Sequence, residues 1–98
     1  MQEKQKNLNY PLLQRYQNKL VVVDTDSRWV YIGTLINEDE TTLTLKEADA
    51  FDLSETTLTR QEYLLRVKQD GVVANRRLVD IMKARVTGVT LWEDIITS

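Results

Sequence analysis

The stretch from Lys19 to Ala48 limits what this chain can fold into more than any other. It reads KLVVVDTD and then, after a serine and an arginine, WVYIGTLINEDETTLTLKEA, with one glycine, Gly33, inside the second run. The first run is dense in β-branched residues and predicts a strand from Lys19 to Asp24. In the DTDS turn, Asp and Ser side chains bond to nearby backbone and favour a reversal. A second strand is predicted from Arg28 to Asn37, with Trp29, Tyr31 and Leu35 on one face and Val30, Ile32 and Ile36 on the other. A strand that is apolar on both faces needs cover on both. Glycine weakens a strand interior unless a bend or a close backbone approach requires it. Gly33 therefore marks the bend of a strand that serves both halves of a small antiparallel sheet closing on itself.

The acidic turn from Asn37 to Glu40 leads into a third strand, Thr41 to about Ala48, with Leu43 and Leu45 pointing inward. Three carboxylates in so tight a turn, Glu38, Asp39 and Glu40, are expected to be solvated. Between about 52 and 75 the character changes. Thr59 followed by Glu62 matches a capping box, RQEYLLRVKQD has helix-forming composition, and Gly71 falls where a C-cap belongs. A helix from Thr59 to Asp70 follows, with Tyr63, Leu64 and Val67 as its docking stripe. Two further strands, Arg76 to Met82 and Val86 to Trp92, flank a turn at Lys83 to Arg85. At the other end, residues 1–8 are polar and aperiodic and are expected to form a flexible tail, so residues 9–98 make one domain. Pro11 suits the first turn of a short helix from Tyr10 to Asn18, with Leu12, Leu13 and Tyr16 on one side. Such a helix must dock to persist.

The residues that are missing narrow the chemistry. The chain has neither cysteine nor histidine, which removes disulfides, the usual zinc ligands, the usual general base and the thiol nucleophile together. Asp24 and Asp26 sit as at the start of a calcium loop, but the glycine and closing glutamate that such a loop needs do not follow. No cofactor, metal or enzymatic activity is expected. The N-terminal residues lack the apolar core of a signal peptide and no run is long enough to span a bilayer, so the default location is cytoplasmic. Charge is uneven. Residues 24–55 hold nine acids against Arg28 and Lys46, whereas residues 60–85 hold seven Lys or Arg against three acids. An acidic end and a basic end suit copies meeting head to tail. A domain of 98 residues buries a modest core, and oligomerisation is a common remedy.

A helix followed by five strands, the second bent at a glycine, resembles the Sm-like family of small SH3-like barrels that assemble into rings. Gly33, Leu35, Asp39, Leu43, Leu45, Glu47 and Ala48 correspond to its first motif, with the turn one residue short. Val79, Ile81, Val86 and Val89 fit the apolar spacing of its second. The resemblance implies a mainly β fold: a five-stranded Sm-like barrel with an N-terminal helix and a helical insertion between the third and fourth strands. It also implies a homo-oligomer, with Val79, Ile81, Val86, Val89 and Leu91 on the edge strands as interface candidates.

In family members that grip RNA, a turn residue such as Asn and the Arg of an Arg-Gly pair clasp a base. Here those places hold Thr41 or Thr42 and Met82 with Lys83, or, in an alternative alignment of the Arg-Gly pair, Thr87 with Gly88. A threonine hydroxyl still bonds a base edge and lysine still meets a phosphate, but the planar Arg fork is gone. Thr41, Thr42, Lys83 and Arg85 are thus the nucleic-acid candidates, with phosphate contact the expected mode. Two function classes follow: a non-catalytic self-associating module, and an RNA-binding protein contacting the phosphate backbone through a basic ring surface. Trp29, Tyr31 and Trp92 fall inside strand patterns and read as core or interface residues.

Overall fold

A computed structural model describes residues 10–97; the flexible tail expected over residues 1–8 lies outside them. Helix α1 (Pro11–Tyr16) is followed by β1 (Leu20–Thr25), β2 (Trp29–Glu38) and β3 (Thr42–Asp52). Helix α2 (Arg60–Asp70) comes next, then β4 (Arg76–Met82) and β5 (Val86–Leu91), with a single 3-10 turn, Lys83–Arg85, between the last two strands. The strands form one antiparallel sheet in the order β4-β3-β2-β1-β5. Among the described residues the protein is thus mainly β, with two α-helices, one of them inserted between the third and fourth strands. The sheet does not close within one chain, because β4 and β5 lie at opposite edges.

β2 is covered on both faces, as its sequence requires. One cluster gathers Leu13, Val21, Val23, Leu35, Leu43, Leu45, Ala48 and Ile81, with Tyr10, Leu12 and Tyr16 of the α1 region packed against it. The second gathers Val22, Val30 and Ile32 beneath Tyr63, Leu64 and Val67 of α2. α1 therefore docks through Leu13 on one face and α2 through its expected stripe on the other. Alternation along β1 sends Val21 and Val23 one way and Val22 the other, which divides a small sheet between two cores.

Gly33 lies against β3 with no room for a side chain. A Cβ there would lie 2.8 Å from Cβ of Ala48, 3.0 Å from its Cα and 3.2 Å from Cβ of Leu45. Its backbone does not have positive φ, so the requirement is space alone. Opposite it the register slips: Ile32 pairs with Asp49 and Thr34 with Lys46, so Glu47 and Ala48 face one residue of β2. Glu47 takes up the extra residue with a φ of 48°, the left-handed region. Such a bulge bends and twists a strand, and this one carries β3 on to Asp52, past the expected end at Ala48.

The insertion is fastened at both ends. Thr59 and Glu62 form the reciprocal capping box, and Gly71 ends α2 with a φ of 93°. On its buried side the Tyr63 hydroxyl donates to Oδ2 of buried Asp49, and its ring stacks on Phe51 at 4.0 Å. Burial and the neighbouring carboxylate push the Tyr63 hydroxyl well above the usual tyrosine range. The chain re-enters the sheet through Asn75. Its side chain accepts from Ala50 N–H at 2.9 Å and donates to Ala50 C=O at 3.1 Å, imitating one more rung of the ladder.

Candidate functional site

The β2–β3 turn and the β4–β5 turn meet at one end of the sheet, so Thr41, Thr42, Lys83 and Arg85 do come together. Asp39 organises the first turn. Its Oδ1 accepts from the backbone N–H of Thr41 at 2.9 Å, that of Thr42 at 2.8 Å, and the Thr42 hydroxyl at 2.9 Å. The Thr41 hydroxyl points to the same oxygen from 3.4 Å. Donation by these two N–H groups holds the Asp39 carboxyl below its ordinary range. The turns are joined by the Lys83 N–H, which donates to the Thr41 carbonyl at 2.8 Å.

Glu38 overturns the expectation of a wholly solvated acidic turn. It is 1% exposed, and its two oxygens tie together three parts of the chain. Oε1 accepts from the N–H of Leu13 at 2.8 Å, and Oε2 from Nζ of Lys83 at 2.7 Å. The first turn of α1 has amides with no partner inside the helix, and Glu38 supplies one of them with an acceptor. Lys83 also donates to the Asp39 carbonyl at 2.9 Å and lies 5.3 Å from the centre of the Tyr10 ring. Its ammonium is thus held by a buried carboxylate, a carbonyl and an aromatic face. Asp39 and Glu40 are exposed as expected.

The remaining polar candidates are engaged in the same way. Arg85 donates through Nε to Asp26 at 2.8 Å, and the Asp26 N–H donates back to the Arg85 carbonyl at 2.9 Å. Arg60 approaches Asp24 at 3.6 Å and donates to the Ser27 carbonyl at 3.1 Å. Both aspartates that suggested a calcium loop thus face arginines. Arg76 and Arg77 are exposed on β4. Trp92 packs against the α2 cluster and carries the Lys68 ammonium 4.7 Å from its ring centre; Trp29 stacks on Tyr31.

Of the edge-strand residues, Ile81 is buried within its own chain, and Val79, Val86, Val89 and Leu91 are half-buried against the same core. These side chains point inward. What β4 presents outward is Leu78, 59% exposed, and Met82, 51% exposed. Period-two alternation through RRLVDIM contains that signal, because residues 78 and 82 fall on the face opposite 79 and 81. The ties through Glu38 and Tyr10 had no such signal, since their partners lie far along the chain.

Between the two turns runs an open groove of about 650 Å³ lined by Glu40, Thr41, Met82, Lys83, Ala84 and Arg85. A smaller hollow of about 290 Å³ adjoins it, bounded by Tyr10, Asp39, Glu40 and Thr41. Among the described residues no helix is long and apolar enough to cross a membrane. Comparison of the sequence with models of known protein families and with curated proteins returns no match.

Proposed function

We propose that this chain is a non-catalytic, self-associating module of the Sm-like type, its bent sheet forming a small barrel that neighbouring copies extend into a ring. One observation carries the reading: the strand order leaves two different strands, β4 and β5, as open edges of one sheet. Unpaired edges attract further strands, and a pair of unlike edges favours head-to-tail contact that can close into a ring. Leu78, 59% exposed, gives the β4 edge an apolar flank.

Charge favours antiparallel apposition of β4 with the next copy's β5. Arg76 and Arg77 at the start of β4 then meet Glu93 and Asp94, which follow the end of β5. Parallel apposition would instead bring them toward Arg85. Light scattering at micromolar concentration should return a multiple of the 11.4 kDa chain mass. Arg76→Glu with Arg77→Glu should lower that mass, and adding Glu93→Lys with Asp94→Lys should restore it. A mass of one chain across the range refutes the proposal.

The rival, contact with an RNA phosphate backbone, would draw on Thr41, Thr42, Lys83 and Arg85. Carboxylates of the same chain already engage all four. Filter binding of oligo-uridine across a salt series separates the readings: the self-associating module retains little RNA, and what it retains is lost toward physiological salt.

A further inference from the structure

We propose that the groove between the two turns docks an extended segment of a partner protein in which a lysine or arginine stands beside a large apolar residue. The floor supplies the apolar half of the match. Met82 lies 51% exposed in a groove of about 650 Å³, a size typical of sites that take small ligands or a few side chains.

The rim supplies the charged half. The groove and its adjoining hollow are lined by Asp39 and Glu40 against Lys83 and Arg85. The two cations are neutralised from behind, Lys83 by Glu38 and Arg85 by Asp26, which leaves the two lining carboxylates as the uncompensated charge. Glu40 is exposed and has no hydrogen-bond or ion-pair partner among the described residues, and only one oxygen of Asp39 is engaged. The hollow that holds these two carboxylates also contains Tyr10. The Lys83 ammonium already lies 5.3 Å from the centre of that ring, so the groups left to receive a further cation are the Glu40 carboxylate and the second oxygen of Asp39. A bound segment would set its basic side chain in this hollow and its apolar neighbour on Met82. A polyanion would meet the unpaired carboxylates first.

Fluorescence anisotropy with labelled short peptides tests this on the full chain. A peptide alternating leucine and arginine should bind with a dissociation constant on the order of tens to hundreds of micromolar. A counterpart alternating leucine and glutamate, and labelled oligo-uridine, should not bind in that range. Glu40→Lys and Met82→Ser change exposed side chains without internal partners and should melt like the parent. Each should weaken the arginine peptide roughly threefold to tenfold, Glu40→Lys by reversing an exposed charge contact. Equal binding of the glutamate peptide or of oligo-uridine overturns the proposal. So does an arginine peptide whose affinity neither substitution changes.

Discussion

Replacing Gly33 with alanine inserts one carbon where the structure has no room for it. That Cβ would sit 2.8 Å from Cβ of Ala48, whereas carbon atoms prefer about 3.5–4.0 Å. Neither neighbour is a flexible chain end: Ala48 Cβ is fixed to its backbone, and Ala48 Cα at 3.0 Å is backbone itself. Relief requires β2 and β3 to move apart across a bulge that both cores surround. Overpacking of this kind destabilises by about 1–3 kcal/mol, and in a domain of this length each kcal/mol lowers the melting temperature by roughly 4–8 °C. Gly33→Val should do worse still, whereas Thr34→Val beside it should stay within about 0.5 kcal/mol. The sharper measurement is a double-mutant cycle. Ala48→Gly deletes the closest atom but leaves the contacts at 3.0 and 3.2 Å, so combining it with Gly33→Ala should recover on the order of 1 kcal/mol relative to additivity. Thermal and urea denaturation of the four proteins read this directly. Strict additivity, or a melting temperature unmoved by Gly33→Ala, would refute close approach as the reason for the glycine.

Other perturbations probe other contacts. Glu47→Gly frees the bulge from a left-handed backbone that costs an L residue about 1–2 kcal/mol. Because glycine loses more entropy on folding, the net gain should be about 0.5 kcal/mol, a rise of a few degrees by calorimetry, while Glu47→Ile should lower the melting temperature. Lys83→Met strips buried Glu38 of its cation and should destabilise by about 2–4 kcal/mol, with Glu38→Gln in the same chain recovering part of the loss in urea titrations. Tyr63→Phe leaves the Asp49 carboxylate without its hydroxyl and should cost about 1–3 kcal/mol by the same assay. The Asp39 carboxyl is held below its ordinary range in the folded chain, so its contribution is complete above the unfolded value, near 3.8, and is lost as pH falls through the lower folded value. Asp39→Asn should accordingly flatten the acid limb of the stability curve below about pH 4 and leave its shape near neutrality unchanged.

What could be read from the sequence was local. Gly33 amid β-branched residues, Thr59 with Glu62, and the Tyr63, Leu64 and Val67 stripe each carry their meaning within a few positions. All three take the expected places. Glu38 could not be read this way. Its partners lie 25 and 45 positions away, and a glutamate beside Asp39 and Glu40 looks solvated until α1 and the β4–β5 turn are set on either side of it. The end of β3 was missed for a related reason. Glu47 has no β preference, and it is in a left-handed bulge opposite Gly33 that it lets the strand continue instead of stopping. The candidate site was legible as a set of neighbours, Thr41, Thr42, Lys83 and Arg85, because turns of one antiparallel sheet gather at its ends. Their mutual neutralisation required side-chain positions, which a spacing pattern does not contain.

The pairing of β5 with β1 also bears on how the chain leaves the ribosome. β1, β2 and β3 are neighbours in sequence and can form a meander soon after they emerge. The outer edge of β1 receives its partner only when Val89 reaches Val23 and Leu91 reaches Val21. At ordinary synthesis rates of about 5–20 residues per second, that interval lasts on the order of several seconds. Throughout it the nascent chain displays an unpaired run of three valines to every other chain on the polysome. Synthesis thus exposes to aggregation an edge, that of β1, which the finished fold covers. A premature stop anywhere before Val86 would release a product fixed permanently in that exposed state.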